Sequence, residues 1–328
     1  MHAAAFVLIG LSALVILGII WQALAEASDR RSYPAPGGFV DGLHVCCRGE
    51  GTPVVLEAGI AASSTGWIPV QKELAAFCRV CAYDRPGLGW SEWRAGQRSV
   101  DQLLADLRKV VHHAGTPAVL VGHSFGALLV QLYAAAYPEE VRALVLVDPA
   151  LLLEWAEPTE HRMRMLARGV ALSRRGSWLA RIGFVRLALA ILRRGSAKGA
   201  RVFARAASGR AASVTDRIAG QVMKLPPEVW PIVQSHWCRP HSFQSMAEHL
   251  ACLPSVAAAA AAARIVPDIE RVVISGGHLG EHELAEHRRL STRHVVADNS
   301  GHWVHLDRPD VIVDLVCALV HGYRANHT

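Results

Sequence analysis

A serine hydroxyl becomes a useful nucleophile only when the fold exposes it and a base stands beside it. The stretch Gly122-His123-Ser124-Phe125-Gly126 offers the first of these conditions. Ser124 directly follows the strand-like run AVLVGH and precedes the helix-like run FGALLVQLYAAAY. So tight a turn needs small residues at Gly122 and Gly126. It holds the serine out at the carboxyl edge of a sheet and aims the free N–H groups of the new helix toward it. A bare G-x-S-x-G also occurs in ordinary glycine-rich turns, but a strand before it and a helix after it favour the nucleophile. Of seventeen histidines, His302 in VVADNSGHWVHLDRPD is best placed as the base, between the last strand-like run and the last helix-like one. His305 is the neighbouring alternative and reads better as part of the helix entry. His123 is too close in sequence to turn back on Ser124 and is expected to pack beneath the turn. His278, His282 and His287 have a helical spacing that would suit a metal, although a helix face at the core edge suits them better. This chemistry needs no cofactor and no metal.

The elements around these residues follow from hydropathy. After the loop YPAPGG, the run FVDGLHVCCRGEG holds two short alternating segments joined at Asp41-Gly42, a hairpin signature. PVVLEA, RVCAYD, AVLVGH and RALVLVD are nearly continuous apolar runs that read as buried strands. Helical patterns lie between them near Ile68–Phe77, Val100–His113 and Phe125–Tyr137. Such alternation predicts an α/β fold, a parallel sheet with helices on both faces. It stops after Asp148, where the chain is helix-like to about Pro267 and includes the alanine tract Ala257–Ala263. It then resumes with ERVVISGG, a helix near Glu281–Arg289, RHVVAD and a final helix from Pro309 to about His321. A helical insertion, 151–267, therefore divides a sheet domain made of 33–150 and 268–328. Binding sites in open parallel sheets form outside the carboxyl ends of the strands, so an insertion leaving one of those ends is expected to cap the site.

At 328 residues, 52% hydrophobic and 19% charged, the chain can bury a large core and is no disordered protein. The net charge of +6 comes largely from an arginine-rich stretch, His161–Asp216, interleaved with Leu, Ile, Val, Phe and Trp. That pattern suggests an anionic membrane surface rather than nucleic acid, or else a solvated insertion packed on its own sheet. Residues Ala3–Ala25 are apolar apart from Ser12 and Gln22, enough to cross a hydrocarbon core, with Trp21 where an interfacial anchor would sit. A cleaved signal peptide would use Ala23-Leu24-Ala25, but the basic leader is missing and the run is too long. Residues 1–32 are thus expected to form a single-pass transmembrane helix. Arg30 and Arg31 after the span put the body on the cytoplasmic side by the positive-inside rule. Seven cysteines show no paired framework, and Cys78-x-x-Cys81 lacks a second ligand pair. They are expected to be small core residues in a reducing compartment.

The blocks VVLEAGIAASSTGW, RVCAYDRPGLGWSE, LVGHSFGALLVQLYAAAYPEEVRALVLVDPA and SGHWVHLDRPDVIVDLV resemble, in order, those of the α/β-hydrolase fold superfamily. More narrowly, they are similar to its bacterial members with an N-terminal membrane segment. The resemblance runs from about Tyr33 to Tyr323 and is weak in the insertion. It implies an eight-stranded, mostly parallel sheet, a helical cap after strand 6, and a Ser–acid–His triad in which Ser124 and His302 take their places. In many relatives His-Gly follows the third strand, where this chain has Ala58-Gly59-Ile60. Oxyanion stabilisation needs only backbone N–H groups there, so Ile60 and Phe125 are assigned, with Gly59 permitting the turn. Asp84 in YDRPGLGWS reads as loop architecture. Most relatives carry the triad aspartate just after the seventh strand, and this chain has none at that distance. Asp148, ending the sixth strand, is favoured because a buried, fixed carboxylate best holds the histidine tautomer. Glu281 (or Glu283) is the alternative acid. A helix-capping or loop-ordering role is the competing reading of Asp148.

The expectation is therefore a serine hydrolase of the carboxylesterase or lipase kind, cleaving a small, lipophilic ester through an acyl-enzyme on Ser124. Amide, thioester or carbon–carbon hydrolysis and acyl transfer would use the same residues. A serine at the elbow speaks against the haloalkane dehalogenases and epoxide hydrolases of this superfamily, which place an aspartate there. A non-catalytic, membrane-anchored binding protein of the same fold would not need to keep the nucleophile and the base.

Overall fold

The computed structural model describes residues 2–96, 98–193, 224–264 and 268–325. Part of the arginine-rich stretch and the end of the insertion lie outside these residues. The Asp41-Gly42 signal makes the turn it implies. Both residues have positive φ (48° and 77°), and they join β1 (Gly38–Val40) to β2 (Leu43–Arg48) with Val40 opposite Leu43. The remaining strands are β3 (Pro53–Glu57), β4 (Arg79–Tyr83), β5 (Ala118–His123), β6 (Val141–Val147), β7 (Glu270–Gly276) and β8 (Arg293–Ala297). They form one eight-stranded sheet in the order β1-β2-β4-β3-β5-β6-β7-β8. It is parallel from β4 to β8 and antiparallel at the β1–β2 and β2–β4 pairs.

The central strands lack polar alternation because both faces of the sheet are covered. On one face Val55, Leu120 and Leu144 pack with α3 (Val100–Ala114) and α4 (Phe125–Ala136). On the other, Val54, Leu56, Val119 and Val121 pack with an earlier helix, α2 (Ile68–Leu74), and with the helix Pro309–Ala325 near the end of the chain. The entry of α3 is fixed by a capping box in which Ser99 accepts from the Gln102 amide and Gln102 reaches back to Ser99. After β6 come the insertion helices α5 (Leu152–Ala156), α6 (Glu160–Arg181), α7 (Phe184–Arg193), α8 (Trp230–Trp237) and α9 (Pro240–Ala262). After β7 come α10 (Glu281–Leu290), α11 (Val304–Asp307) and α12, the helix Pro309–Ala325.

The chain forms two compact units. One comprises Pro36–Ala167 and Glu248–Thr328 and holds the sheet. The other comprises Met1–Ala35 and Arg168–Ala247, so the N-terminal helix α1 (His2–Ser32) shares a unit with insertion residues. Within α1, Ala5–Ser32 is long and apolar enough to cross a membrane, and an 18-residue stretch of it has a mean hydropathy of 2.4.

The cysteines require a correction. Cys46, Cys78, Cys238, Cys252 and Cys317 are free, but Cys47 and Cys81 are joined in a disulfide. The antiparallel register of β2 and β4 sets them directly opposite, with Cα atoms 4.0 Å apart. Pairing between strands is invisible in the Cys78-x-x-Cys81 spacing, which drew attention to the wrong partner.

Three buried histidines make stability depend on pH. His123, His249 and His287 are almost fully buried. Burial pushes all three below the ordinary imidazole range, helped by nearby His305 and His302 at His123 and by Arg85 and Arg98 at His249. Below about pH 6.5 the unfolded chain takes up protons that the folded chain refuses at these sites, so each of them costs stability as pH falls. His44 works in the opposite sense. Burial opposes its charge, but its bond to Asp84 raises it overall. The lowered histidines outnumber His44, and burial lowers His294 as well, so stability is expected to fall between about pH 6.5 and 5.5. Thermal unfolding across that window checks it, and His249→Leu should flatten the dependence; an unchanged slope would show that burial does not set it.

Candidate active site

The residues around Ser124 are held by a turn that few side chains could occupy. Ser124 lies between β5 and α4 with φ 53° and ψ −114°, a strained conformation for a non-glycine residue. A Cβ on Gly122 would come within 2.6 Å of the Gly126 carbonyl oxygen, and one on Gly126 within 2.6 Å of the Ala58 carbonyl oxygen. Both glycines are therefore sterically required. The Ser124 amide donates to the Val147 carbonyl (3.0 Å), which ties the turn to the end of β6.

Three sequence-predicted residues meet here from three loops. The parallel register pairs His123 with Val147, so Ser124 and Asp148 are the next residues beyond adjacent strand ends. Asp148 is 2% exposed and has φ 42°. Its Oδ1 accepts from the Gly276 amide (2.8 Å), and its Oδ2 accepts from His302 Nδ1–H (2.6 Å). A carboxylate can only accept, so this bond fixes the imidazole tautomer and leaves the Nε2 lone pair facing Ser124. The Ser124 hydroxyl donates to that nitrogen at 3.1 Å. Glu281 is not part of this group. It sits in the first turn of α10 with its side chain 78% exposed and pairs with Arg288.

His123 packs beneath the turn, where its Nε2–H donates to the His302 carbonyl (2.8 Å). His305 lies in α11, buried and stacked on Trp67. The three histidines of metal-like spacing do not converge. His278 lies in the turn after β7, His282 points outward with 81% of its side chain exposed, and His287 is buried against Ser275 (2.7 Å) and the Pro149 carbonyl (3.1 Å).

The loop after β3 is braced by a network that reading the sequence missed. Glu57, Tyr83 and Arg85 are all buried. Arg85 pairs with Glu57, Tyr83 donates to the same carboxylate, and Arg85 also donates to the carbonyls of Ala58 (2.7 Å) and Gly59. Its guanidinium lies 5.4 Å from the Phe125 ring centroid. Burial raises the Glu57 carboxyl above its usual range, with Arg85 opposing. A glutamate ending the apolar, strand-like run PVVLE was the available signal, because a buried charge there requires a partner. A Cβ on Gly59 would stand 3.5 Å from Ser124 Cβ, so this loop lies against the serine. Asp84 organises its own loop, accepting from the amides of Ser64 (2.6 Å) and Trp90 (3.0 Å) and from His44 Nδ1–H (2.8 Å). Burial alone would raise its carboxyl, but these donors hold it below the usual range.

A family model described as the alpha/beta hydrolase fold matches residues 52–183. The RutD protein of Azorhizobium caulinodans is 36% identical over 115 residues, covering 35% of this chain and 43% of its own length. Lipase LipV of Mycobacterium tuberculosis is 39% identical over 89 residues, covering 27% of this chain and 34% of its own. The chain thus matches less than half the length of these curated relatives. The structure of the epoxide hydrolase CorEH aligns over 87% of this chain and 98% of that one, with a TM-score of 0.62 at 18% identity, a likeness of fold alone. Strand order and the helical insertion after β6 agree with this likeness and with the family model: the chain has the α/β-hydrolase fold.

Proposed function

We propose that the protein is a serine hydrolase that cleaves a lipophilic carboxylic ester through an acyl-enzyme on Ser124. The observation that carries this reading is the hydrogen-bond chain from the Ser124 hydroxyl through His302 to Asp148. His302 takes the serine proton as Oγ attacks the ester carbonyl, and it then protonates the departing alcohol. The backbone N–H groups of Ile60 and Phe125 receive the developing oxyanion. Phe125 opens α4, where helix amides have no acceptor within the helix. Water activated by the same imidazole releases the acid. LipV, by name a lipase, supports the ester, and a serine in place of a carboxylate at the elbow disfavours the alkyl-enzyme chemistry of epoxide hydrolases. A fluorophosphonate probe should label the wild type and not Ser124→Ala. Equal labelling of the two would sink the nucleophile.

The apolar α1 suits a lipophilic substrate and a membrane anchor. Arg30 and Arg31 argue for a cytoplasmic body, whereas the Cys47–Cys81 disulfide argues for an oxidising compartment. We favour the oxidising side, because two arginines are a small bias and one of them lies beside Glu26. Alkylation during lysis, before any reduction, should then leave Cys47 and Cys81 unmodified. Free, alkylated thiols at both positions would return the body to the cytoplasm.

A further inference from the structure

We infer that the face around the α6–α7 turn is a membrane-interfacial surface that seats into anionic phospholipid alongside α1. The inference rests on reading α1 as a membrane span and assigns a second, separate contact with the bilayer.

Gln22 is the one amide inside the apolar run of α1. It is 3% exposed and fully bonded. Its Nε2 donates to the Cys238 carbonyl (2.8 Å) and to Glu26 (2.7 Å), and its Oε1 accepts from Arg186 Nε (3.0 Å). Arg186 also donates to Asp29 (2.7 Å). Residues of α7 and the end of α8 thus clamp one stripe of α1. The backbones are in direct contact above the clamp. A Cβ on Gly18 would meet the Ile182 carbonyl oxygen at 2.3 Å. One on Gly183, whose φ is +77°, would meet the Trp21 ring at 2.7 Å. The α6–α7 turn, Ile182–Gly183, therefore lies on α1 at the level of Gly18.

That level sets the depth. Bare apolar side chains run along the rest of α1 from Phe6 (73% exposed) to Leu24 (65%). If the hydrocarbon ends at Leu24, Gly18 lies six residues inside it, or about 9 Å at the helical rise. Interfacial elements bury about 5–10 Å into the boundary between headgroups and acyl chains. The turn attached at Gly18 is carried to that depth.

The side chains flanking the turn suit that position. On α6, Arg174, Arg175, Trp178 and Arg181 share one helical side and are exposed, and the Arg181 guanidinium lies 5.8 Å from the Trp178 ring centroid. Leu187 and Ile191, four apart on α7, are exposed as well. None of these three arginines has an acidic partner among the described residues. Tryptophan and leucine with unpaired arginines around them fit an apolar boundary beneath negative headgroups. Continuity with the apolar surface of α1 selects a bilayer as the occupant over another protein.

The test uses the full chain reconstituted into phosphatidylcholine vesicles, with and without phosphatidylglycerol, carrying brominated acyl chains that quench indole emission on contact. Subtracting the W178F signal from wild type isolates Trp178 from the other tryptophans. Bromination should quench the Trp178 emission by about half or more when phosphatidylglycerol is present. Charge reversal at Arg174, Arg175 and Arg181 together should remove most of that quenching. Carbonate washing of the same vesicles separates the two readings. A chain that resists carbonate but whose Trp178 is unquenched leaves the span standing and overturns the interfacial surface. A chain stripped by carbonate overturns the span, and the inference with it. Trp178 shielded equally in all lipids, together with cross-linking between copies, would show that a second copy covers this face and would also overturn the proposal.

Discussion

Asp148→Asn lowers kcat on a short-chain ester by about four orders of magnitude, whereas Glu281→Gln leaves it within about twofold. The size follows from what the carboxylate does. Asp148 accepts His302 Nδ1–H at 2.6 Å, and the Gly276 amide holds its other oxygen. An asparagine keeps the shape but can turn an NH2 toward Nδ1. The ring then carries its proton on Nε2 and cannot accept one from Ser124. KM should change little, because Asp148 bonds the ring nitrogen of His302 that faces away from Ser124. Glu281 is spent on Arg288 at the protein surface. The reverse result, with activity lost in Glu281→Gln and kept in Asp148→Asn, would move the acid to α10 and require the loop after β7 to rearrange. Unfolding midpoints of both variants separate lost chemistry from lost structure.

Why the acid stayed open in the sequence, while the serine did not, is a matter of range. The elbow is written in five consecutive residues whose glycines are demanded by contacts of 2.6 Å. The Asp41-Gly42 turn and the insertion after β6 are likewise local or periodic signals, and both are present as expected. The proposed acid depends on which strands are neighbours and in what register. Only the pairing of His123 with Val147, and of Val147 with Ile274, brings Asp148 beside Ser124 and under Gly276. The Cys47–Cys81 bond was hidden for the same reason, since it joins strands 34 residues apart. Gln22 shows a third limit. A polar residue in an apolar helix signals a buried partner, but nothing local says that Arg186 supplies it.

The second large effect is expected at Arg85, through the peptide that joins Gly59 to Ile60. A trans peptide points its C=O and its N–H in opposite directions. By donating to the Gly59 carbonyl, Arg85 fixes the direction of the Ile60 N–H and strengthens it as a donor. Arg85→Met removes that hold and also leaves the buried Glu57 without its counter-charge, at a cost of about 3–5 kcal/mol. Part of this loss is relieved as Glu57, already raised by burial, takes up a proton. Arg85→Lys is the cleaner probe. It retains a cation for Glu57, but one ammonium cannot reproduce the fork that reaches both the Ala58 and Gly59 carbonyls. Its kcat should fall about a hundredfold, as when one oxyanion donor is lost, with KM nearly unchanged and unfolding shifted far less than in Arg85→Met. Adding Glu57→Gln to Arg85→Met should restore most of the stability and little of the rate, because the carbonyls remain unheld. Wild-type kcat in Arg85→Lys would mean that the loop holds its own shape and that the ion pair serves folding alone.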